Sequence, residues 1–347
     1  MTIPYGHGGN ICEYKQNIID FSSNINPLGL SRTVRSAYER ALDACTHYPD
    51  PFCRELIEKI ALHEGVASTQ IVCGNGAADL IYRIVACFRP KRALVTAPTF
   101  SEYENALKLF DCKISKHYLQ EQNAFKPDLT LLEEIDGADM IFLCNPANPV
   151  GNIISRKLMA KLAGKAEKNK NLLIVDECFL DFLPEEAQLT AKPFLEGGHV
   201  IILKAFTKIY AMPGLRLGYC ILPNEEMADS IAAVGQPWPV SAPAQACGIA
   251  ALEDEEYLAK TRAYIAKERR KMEIFLEKLG FKLYSSRANF IFAKHSCKKL
   301  KELLLDYNIL IRDCSNYSAL ENGYYRFAVR AEHENDYLLE CLGKILI

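Results

Sequence analysis

Strand-like apolar runs alternate with helix-like stretches between residues 70 and 223, and this alternation limits the folds open to the chain. The runs QIVCG, RALVTAP, MIFLCNP, LLIVDECF and VIILKAF each have the length and composition of a buried strand. Helical spacing of apolar residues appears between most of them. Such alternation predicts a mostly parallel sheet with helices on both faces. Ligands of such folds bind outside the carboxyl ends of the strands, so the sequence predicts an α/β fold with its site at one sheet edge.

The pattern changes on both sides of this region. Residues 224–280 are predicted to be mostly helical, with a break near 236–239, and NFIFA, ILIRD and YYRFAVR are predicted strands. Near the N-terminus, a segment rich in Gly, Asn and Pro leads into a helix predicted over residues 31–45. We interpret this as a large domain over residues 46–240 and a smaller α+β domain made of residues 1–45 and 241–347, with an N-terminal segment that reaches a site.

The charge and cysteine content exclude several classes of function. The 347 residues include 41 basic and 43 acidic side chains, so no polyanion or membrane surface is indicated as a partner. Thirteen cysteines are scattered without a C-x-x-C pair, which argues against a metal site and fits the reduced thiols of a cytoplasmic protein. The N-terminus lacks the pattern of a signal peptide, and no apolar run reaches the length of a membrane span.

One lysine stands between two strand-like runs in residues 200–223, VIILKAFTKIYAMPGLRLGYCILP. The simple interpretation of Lys208 is a surface lysine on a hairpin loop. However, Thr207 precedes it and Arg216 follows eight positions later. A hydroxyl, a permanent cation and an amine in this order suit a dianionic phosphate held beside an amine that forms an imine. Enzymes that use pyridoxal 5'-phosphate (PLP) need this combination.

Three other strand ends carry residues that suit the same cofactor. Gly76 and Ala77 open a helix, and backbone N–H groups at a helix N-terminus bind phosphate. Asp176 ends an apolar strand and could pair with a protonated pyridine nitrogen. The loop NPANPVG could present the amide of Asn148 to a cofactor oxygen. The alternatives are a plain glycine turn, a capping or loop carboxylate and a tight loop.

Aromatic and cationic side chains add candidates for both cofactor and substrate. Tyr103 could stack on a pyridine ring and Tyr48 could hydrogen-bond a phosphate, or each could be an ordinary structural tyrosine. Arg312 and Arg326 lie in late apolar strands, where a guanidinium needs an anion. Two such arginines suggest a substrate with two anionic groups, although a salt bridge would explain either one. Arg330 is a third candidate.

The order of these motifs over nearly the whole chain resembles the aspartate aminotransferase fold family, fold type I of the PLP-dependent enzymes. Within it, YPDPFCRELIEKIA is similar to histidinol-phosphate aminotransferases and to threonine-phosphate decarboxylases. HGGN, DFSSNINPLG, RANF and ILIRDCSNY are more similar to the decarboxylases, which act in cobalamin biosynthesis. The resemblance implies a large PLP-binding domain and decarboxylation of L-threonine O-3-phosphate to (R)-1-amino-2-propanol O-2-phosphate.

The resemblance also implies a role for each matching residue. Lys208 would be the Schiff-base lysine, Asp176 the partner of the pyridinium nitrogen, Asn148 a donor to the ring 3-oxygen and Tyr103 the stacking residue. The residues implied to hold the cofactor phosphate are Gly76, Ala77, Thr207, Arg216 and, from a neighbouring subunit, Tyr48. This last role implies a homodimer with shared sites. The residues implied to contact the substrate are His7, Gly8, Asn24, Asn148, Arg312 and Arg326.

Departures from the family pattern leave alternatives open. Phe179 replaces a common tyrosine, as in the decarboxylases, and Ala205 stands where a serine would donate to the phosphate. The stretch between HGGN and DFSSN is shorter than in the decarboxylases, so L-serine O-phosphate, giving ethanolamine phosphate, is an alternative substrate. The same residues would serve a histidinol-phosphate aminotransferase, which needs 2-oxoglutarate. A non-catalytic PLP-fold protein is a third alternative, against which the lysine and the aspartate both argue.

Overall fold

The computed structural model describes residues 6–14 and 17–346. The expectation that the N-terminus is no signal peptide falls partly on residues outside these ranges. The strands are β1 (Ile19–Asp20), β2 (Ile71–Gly74), β3 (Arg92–Ala97), β4 (Lys113–Tyr118), β5 (Met140–Cys144), β6 (Leu172–Asp176), β7 (Val200–Ala205), β8 (Gly218–Ile221), β9 (Lys282–Tyr284), β10 (Phe290–Lys294), β11 (Ile309–Leu310), β12 (Arg312–Asp313) and β13 (Tyr324–Ala328).

Helices connect most of these strands and cover the sheets. They are α1 (Arg32–Arg40), α2 (Arg54–Glu64), α3 (Ala77–Phe88), α4 (Glu102–Leu109), α5 (Leu131–Glu134), α6 (Arg156–Asn169), α7 (Glu186–Leu189), α8 (Phe206–Ile209), α9 (Glu225–Val234), α10 (Ala242–Leu252), α11 (Glu255–Lys278), α12 (Leu300–Leu305) and α13 (Glu332–Leu346). Side chains cap several of them: Ser31 accepts from the N–H of Val34, and Ser155 from that of Leu158.

The larger sheet has seven strands in the order β2-β8-β7-β6-β5-β3-β4. The neighbours from β7 to β4 are parallel, whereas β8 is antiparallel to both β7 and β2. Consequently β2, β5, β6 and β7 all run in one direction, and their carboxyl ends meet at one edge of the sheet. This confirms the predicted α/β fold, and it brings Gly76, Asn148, Asp176 and Lys208 to the same edge.

Two smaller sheets are formed mainly by strands of the C-terminal part of the chain. β12, β13, β10 and β9 form an antiparallel sheet in that order, in which Arg312 of β12 is the register partner of Arg326 of β13. β1 pairs with β11 in parallel, so the N-terminal segment is tied to the C-terminal part of the chain. Neither β1 nor β9 was predicted, because two or three residues are too few to show a strand period.

Two predicted boundaries need correction. The helix over residues 31–45 ends at Arg40 and continues only as a separate 3-10 turn, Asp43–Thr46, which buries no residue. The strand predicted for LRLGYCIL begins only at Gly218, because Arg216 has a φ of 57° and cannot continue an extended strand. Lys208 lies in α8, a single helical turn, rather than in a simple hairpin loop.

Side chains of β7 alternate between two apolar layers. Ile202 packs in the larger core, whereas Ile201 and Leu203 pack in the core on the opposite face of the sheet. No helix within the described ranges has the length and apolar character needed to cross a membrane. Nor do His, Cys, Asp and Glu side chains of those ranges cluster in the groups of three or more that a metal ion would need.

Candidate active site

A cavity of about 450 Å³ lies at the edge where the parallel strands end. Most of the residues predicted to form a site line it. These are His7, Gly8, Asn24, Ala77, Asn148, Asp176, Thr207, Lys208, Arg216 and Arg326. They come from widely separated parts of the chain, and the sheet edge brings them together because strand ends, helix starts and the N-terminal segment converge there.

Lys208 lies where an ammonium ion is poorly accommodated. Its side chain is only partly accessible, from the cavity. Burial, together with the positive charges of Arg326 and Arg216, lowers the pKa of Lys208 to about 8. The amine is therefore neutral far more often near pH 8 than an ordinary lysine, as a nucleophilic amine must be.

Asp176 is held firmly at the end of β6. Its side chain is 6% exposed. Oδ2 accepts a hydrogen bond of 2.6 Å from the hydroxyl of Tyr103, and Oδ1 accepts one of 3.0 Å from the N–H of Cys178. A buried carboxylate that retains an edge on the cavity can meet a cationic ring nitrogen there.

Tyr103 has a different position from the predicted one. Its side chain is fully buried, its ring stacks on Phe142 at 4.9 Å, and its hydroxyl is bonded to Asp176. The expectation that it stacks on a cofactor ring is therefore not supported, because neither ring face reaches the cavity. Phe100, which contacts Tyr103 edge-on at 5.7 Å, is the aromatic side chain that lines the cavity.

A phosphate-sized group could be held between the start of α3 and Arg216. Gly76 has a φ of 82°, and a Cβ placed on it would lie 2.5 Å from Nη2 of Arg216, so only glycine fits. Arg216 donates to the backbone oxygens of Pro213 and Asn75, at 3.2 and 3.4 Å, and no carboxylate of the described residues pairs with it. Its charge is thus available to an anion beside the N-terminus of α3.

Arg326 supplies a second unneutralised cation. It is 5% exposed, its Nη1 donates to Oδ1 of Asn148 at 2.5 Å, and its Nη2 donates to the backbone oxygen of Ser22 at 2.7 Å. Its Nε has no partner, and no carboxylate pairs with it anywhere in the described part of the chain. The Oδ1 atom of Asn24 is also buried without a partner. A buried guanidinium of this kind suits an anionic ligand.

Arg312 lies outside this cavity. It lines a neighbouring cavity of about 270 Å³, and Tyr317 is the wall that the two cavities share. The guanidinium donates to the backbone oxygens of Asp313 and Gly6 and to Oδ1 of Asn316. The structure thus places Arg312 next to the site without bringing it into the main cavity.

His7 reaches the cavity from the N-terminal segment. Its Nε2 lies 2.7 Å from Oε1 of Glu102, and the hydroxyl of Tyr82 donates to Oε2 of Glu102, also at 2.7 Å. The hydrogen bond with His7 is the main cause that lowers the pKa of Glu102 to about 2, so this carboxylate is ionised at neutral pH. Glu102 therefore holds the N-terminal segment against α4.

Two further candidates lie away from the cavity. Tyr48 is 77% exposed and stacks on Trp238 at 4.3 Å, so it cannot reach the cavity of its own chain. Arg330 donates to both carboxylate oxygens of Glu334, at 2.8 and 3.1 Å, and to the backbone oxygen of Asp20. These bonds occupy Arg330, as a structural salt bridge would.

Several residues that line the cavity were not predicted from the sequence. Phe100 follows β3 at the same sheet edge as the predicted residues, so the strand-end rule could have found it. Cys178 lies two residues beyond Asp176 and could have been found in the same way. Tyr317 lies in a loop of the second sheet, and no spacing or motif in the sequence connects it with the cavity.

Comparison with known proteins adds to this geometry. The family model for aminotransferases of class I and II matches residues 16–345. The threonine-phosphate decarboxylase of Salmonella typhimurium is 34% identical, with 98% of this chain and 96% of that protein covered. Histidinol-phosphate aminotransferase 1 of Mesorhizobium japonicum is 30% identical, with coverages of 99% and 96%.

A solved structure shows the same similarity. The histidinol-phosphate aminotransferase from Clostridium acetobutylicum is 30% identical and has a TM-score of 0.88, with 94% of this chain and 98% of that one covered. Because the family model spans nearly the full length and includes every strand of the larger sheet, the chain belongs to the aminotransferase class I and II family.

Proposed function

We propose that this protein is a PLP-dependent decarboxylase of an O-phospho amino acid. The substrate we favour is L-threonine O-3-phosphate, which would give (R)-1-amino-2-propanol O-2-phosphate for the linker of the cobamide nucleotide loop. L-Serine O-phosphate, which would give ethanolamine phosphate, is the second substrate considered. The observation that carries the proposal is a single cavity that unites an amine of lowered pKa, a buried carboxylate and two guanidinium groups that no carboxylate of the described residues neutralises.

The residues present fit PLP. Lys208 offers the amine and Asp176 the carboxylate for a ring nitrogen. Gly76 leaves the space beside Arg216 that a side chain would fill, and Thr207 adds a hydroxyl at the cavity wall. These groups would hold the phosphate, while Ala205 contributes no donor. When bound, PLP supplies a ring that accepts the electron pair released when a bond at the α-carbon breaks.

The protein's own residues then decide the outcome. Lys208 would hold the cofactor before the substrate arrives, and afterwards its amine would return a proton to the α-carbon from which CO₂ has left. Arg326 would bind one anionic group of the substrate and Asn148, which it touches, would help to orient the ring. Which bond at the α-carbon breaks would depend on how these contacts orient the substrate.

The N-terminal segment would close over the phosphate end of the substrate. His7, Gly8 and Asn24 line the cavity, and Glu102 fixes His7 there. Arg312 lies just behind Tyr317, where its charge attracts the second anionic group even without direct contact. Closing this end also keeps water from the reacting carbon.

The second candidate function is that of a histidinol-phosphate aminotransferase. The C. acetobutylicum structure and the M. japonicum sequence favour it, since both are 30% identical to this chain. The same lysine and aspartate would serve transamination, but 2-oxoglutarate would be required as a second substrate. The higher identity to the S. typhimurium decarboxylase, 34%, supports the decarboxylase as the first choice.

A homodimer with shared sites follows from the same proposal. Tyr48, Phe52 and Trp238 expose aromatic surface at one place, and burying such a patch against a second copy would be favourable. Tyr48 would then contact the cofactor phosphate of the partner. We also propose the division into residues 46–240 and residues 1–45 with 241–347, and a cytoplasmic location, which thirteen free thiols support.

The decisive experiment measures CO₂ release from L-threonine O-3-phosphate and from L-serine O-phosphate with PLP and without any keto acid. Release from either substrate supports the decarboxylase, and the ratio of the two values of kcat/KM identifies the substrate. No release, together with glutamate formation from histidinol phosphate and 2-oxoglutarate, would replace this proposal with the aminotransferase.

A further inference from the structure

A buried cluster of charged groups lies behind the active site, on the opposite side of the larger sheet. Lys204 of β7 is 1% exposed. Its Nζ lies 2.7 Å from Oδ1 of Asp181, 3.1 Å from Oε1 of Glu64 and 3.3 Å from Oε1 of Glu186. The next residue, Ala205, lines the cavity, because successive side chains of a strand point to opposite faces.

The cluster is tightly bonded, although burial raises the pKa of Asp181. Burial alone would lower the pKa of Lys204, but Asp181 and Glu64 raise it well above its usual value. Lys192 donates to Oε2 of Glu64 at 2.7 Å, and the hydroxyl of Tyr219 donates to Oε1 at 2.5 Å. Removing one partner of such a buried set leaves other charges unpaired, so every member restrains the rest.

Lys204 connects the segments that carry the proposed cofactor contacts. Its own strand leads within four residues to Lys208. Asp181 lies in the segment that follows Asp176, and Glu64 ends α2, which packs against β2 just before the Gly76 turn. One ammonium group on β7 therefore bonds to a carboxylate of the segment that follows β6 and to a carboxylate of the helix that precedes β2.

The cluster also lies close to the turn at Gly76 and Ala77, which is proposed to hold the cofactor phosphate. Gly218 of β8 lies between the turn and Lys204: a Cβ there would be 2.5 Å from the nitrogen of Ala77 and 3.0 Å from the backbone oxygen of Lys204. Tyr219, the next residue, bonds to Glu64. A shift of Lys204 or Glu64 would thus be transmitted to the turn through one layer of backbone.

We infer that Lys204 is a positioning residue for cofactor binding: its ion pairs with Asp181 and Glu64 hold the ends of β6, β7 and β2 at the separation that the cofactor requires. This inference rests on the proposed function. It goes beyond it by assigning a role to charges that touch neither cofactor nor substrate. A role in fold stability alone would leave the cofactor's affinity and orientation unchanged in a variant that still folds.

The test compares PLP affinity with stability in matched variants. Lys204→Met removes the ammonium and keeps the chain length, Lys204→Arg keeps the charge, and Tyr219→Phe removes only the hydrogen bond to Glu64. Lys59→Met is the control, because Lys59 forms an ion pair of 2.6 Å with Glu253 on the surface. For each purified protein we would measure the PLP dissociation constant, the visible circular dichroism of the bound cofactor and the melting temperature.

We expect the PLP dissociation constant to rise on the order of tenfold in Lys204→Met, the size that loss of a supporting contact has at metal centres. A smaller rise is expected in Tyr219→Phe, a weakened dichroism band in both, and near-normal values in Lys204→Arg and Lys59→Met. If Lys204→Met does not fold, Tyr219→Phe decides. Lower melting temperatures with unchanged PLP affinity and dichroism would overturn this inference and leave the proposed function standing. Failure of the unmodified protein to bind PLP would overturn it together with the proposed function.

Discussion

Lys204 and Lys208 lie on one short segment, yet their surroundings push their pKa values in opposite directions. Lys204 faces three carboxylates, which raise its pKa well above the usual value. Lys208 faces the cavity with Arg326 and Arg216 nearby, and burial together with these charges lowers its pKa to about 8. Burial acts on both amines alike, so the partners decide which lysine is a fixed charge and which is a reactive amine.

The difference follows from strand geometry. Ala205 to Thr207 turn the chain from β7 into α8, so the lysine before this turn points into the ionised cluster and the lysine after it points into the cavity. A protein can therefore separate a structural lysine from a chemical one within a single turn of chain. Substitutions of each lysine and of its neighbours test this difference.

The largest expected effect is the loss of catalytic activity in Lys208→Ala. Loss of the amine removes both cofactor attachment and proton return, so the rate of CO₂ release should fall by at least on the order of 10³-fold. Lys59→Ala, at a surface ion pair, serves as the control. A Lys208→Ala protein with full activity would refute the proposed mechanism.

The second-largest effect concerns stability, and here substitution of Lys204 should have a larger effect than substitution of Lys208. Lys204→Met leaves Asp181 and Glu186 without an ammonium partner and leaves Glu64 with Lys192 only. We expect the free energy of unfolding to fall by about 3–5 kcal/mol. Lys208→Met removes an amine that forms no ion pair with a carboxylate of the described residues, so its free energy of unfolding should change much less or rise. Urea unfolding of the cofactor-free proteins measures both. Equal losses would show that the two environments do not differ as described.

A third experiment uses pH. Because the pKa of Lys208 is depressed to about 8 from an unfolded value of 10.5, its contribution to stability is fully present above pH 10.5 and is lost as pH falls to about 8. The neutral amine that reacts with aldehydes should likewise increase as pH rises through about 8. Arg326→Met removes one nearby positive charge, so the midpoint of that reaction should move to higher pH. An unmoved midpoint would mean that the charge of Arg326 does not lower this pKa.

The smallest effect is expected for Glu186→Gln. Glu186 is the most distant of the three carboxylates, at 3.3 Å, and its side chain is 21% exposed. Water can partly replace its contact with Lys204, so the free energy of unfolding should fall by only about 1 kcal/mol. Glu64→Gln, whose carboxylate is buried, should cost several times as much in the same urea titration. Equal losses for the two substitutions would mean that burial does not determine how much each ion pair contributes to the free energy of unfolding.

Much of the site could be predicted because it lies at strand ends, which sequence patterns reveal. Asp176, Lys208 and Gly76 follow apolar strands, and the fold brings such positions together. The orientation of Tyr103 could not be predicted, since helical spacing alone does not tell which side chain of PTFSEY reaches a cavity. The Lys204 cluster was also missed. A lysine inside VIILKAF signals a buried partner, but only the fold shows that Glu64 and Asp181 are that partner.

The packing of Gly218 has a consequence for how the chain can vary. Any side chain at this position would meet the backbone of Gly76 and Ala77 on one side and that of Lys204 on the other. In a library of single substitutions, no replacement of Gly218 should be tolerated, not even alanine. This is expected although Gly218 has no side chain that could contact the cofactor or the substrate. Gly218 sets the distance between two backbone segments, so we expect glycine to be retained here while other residues around the site vary.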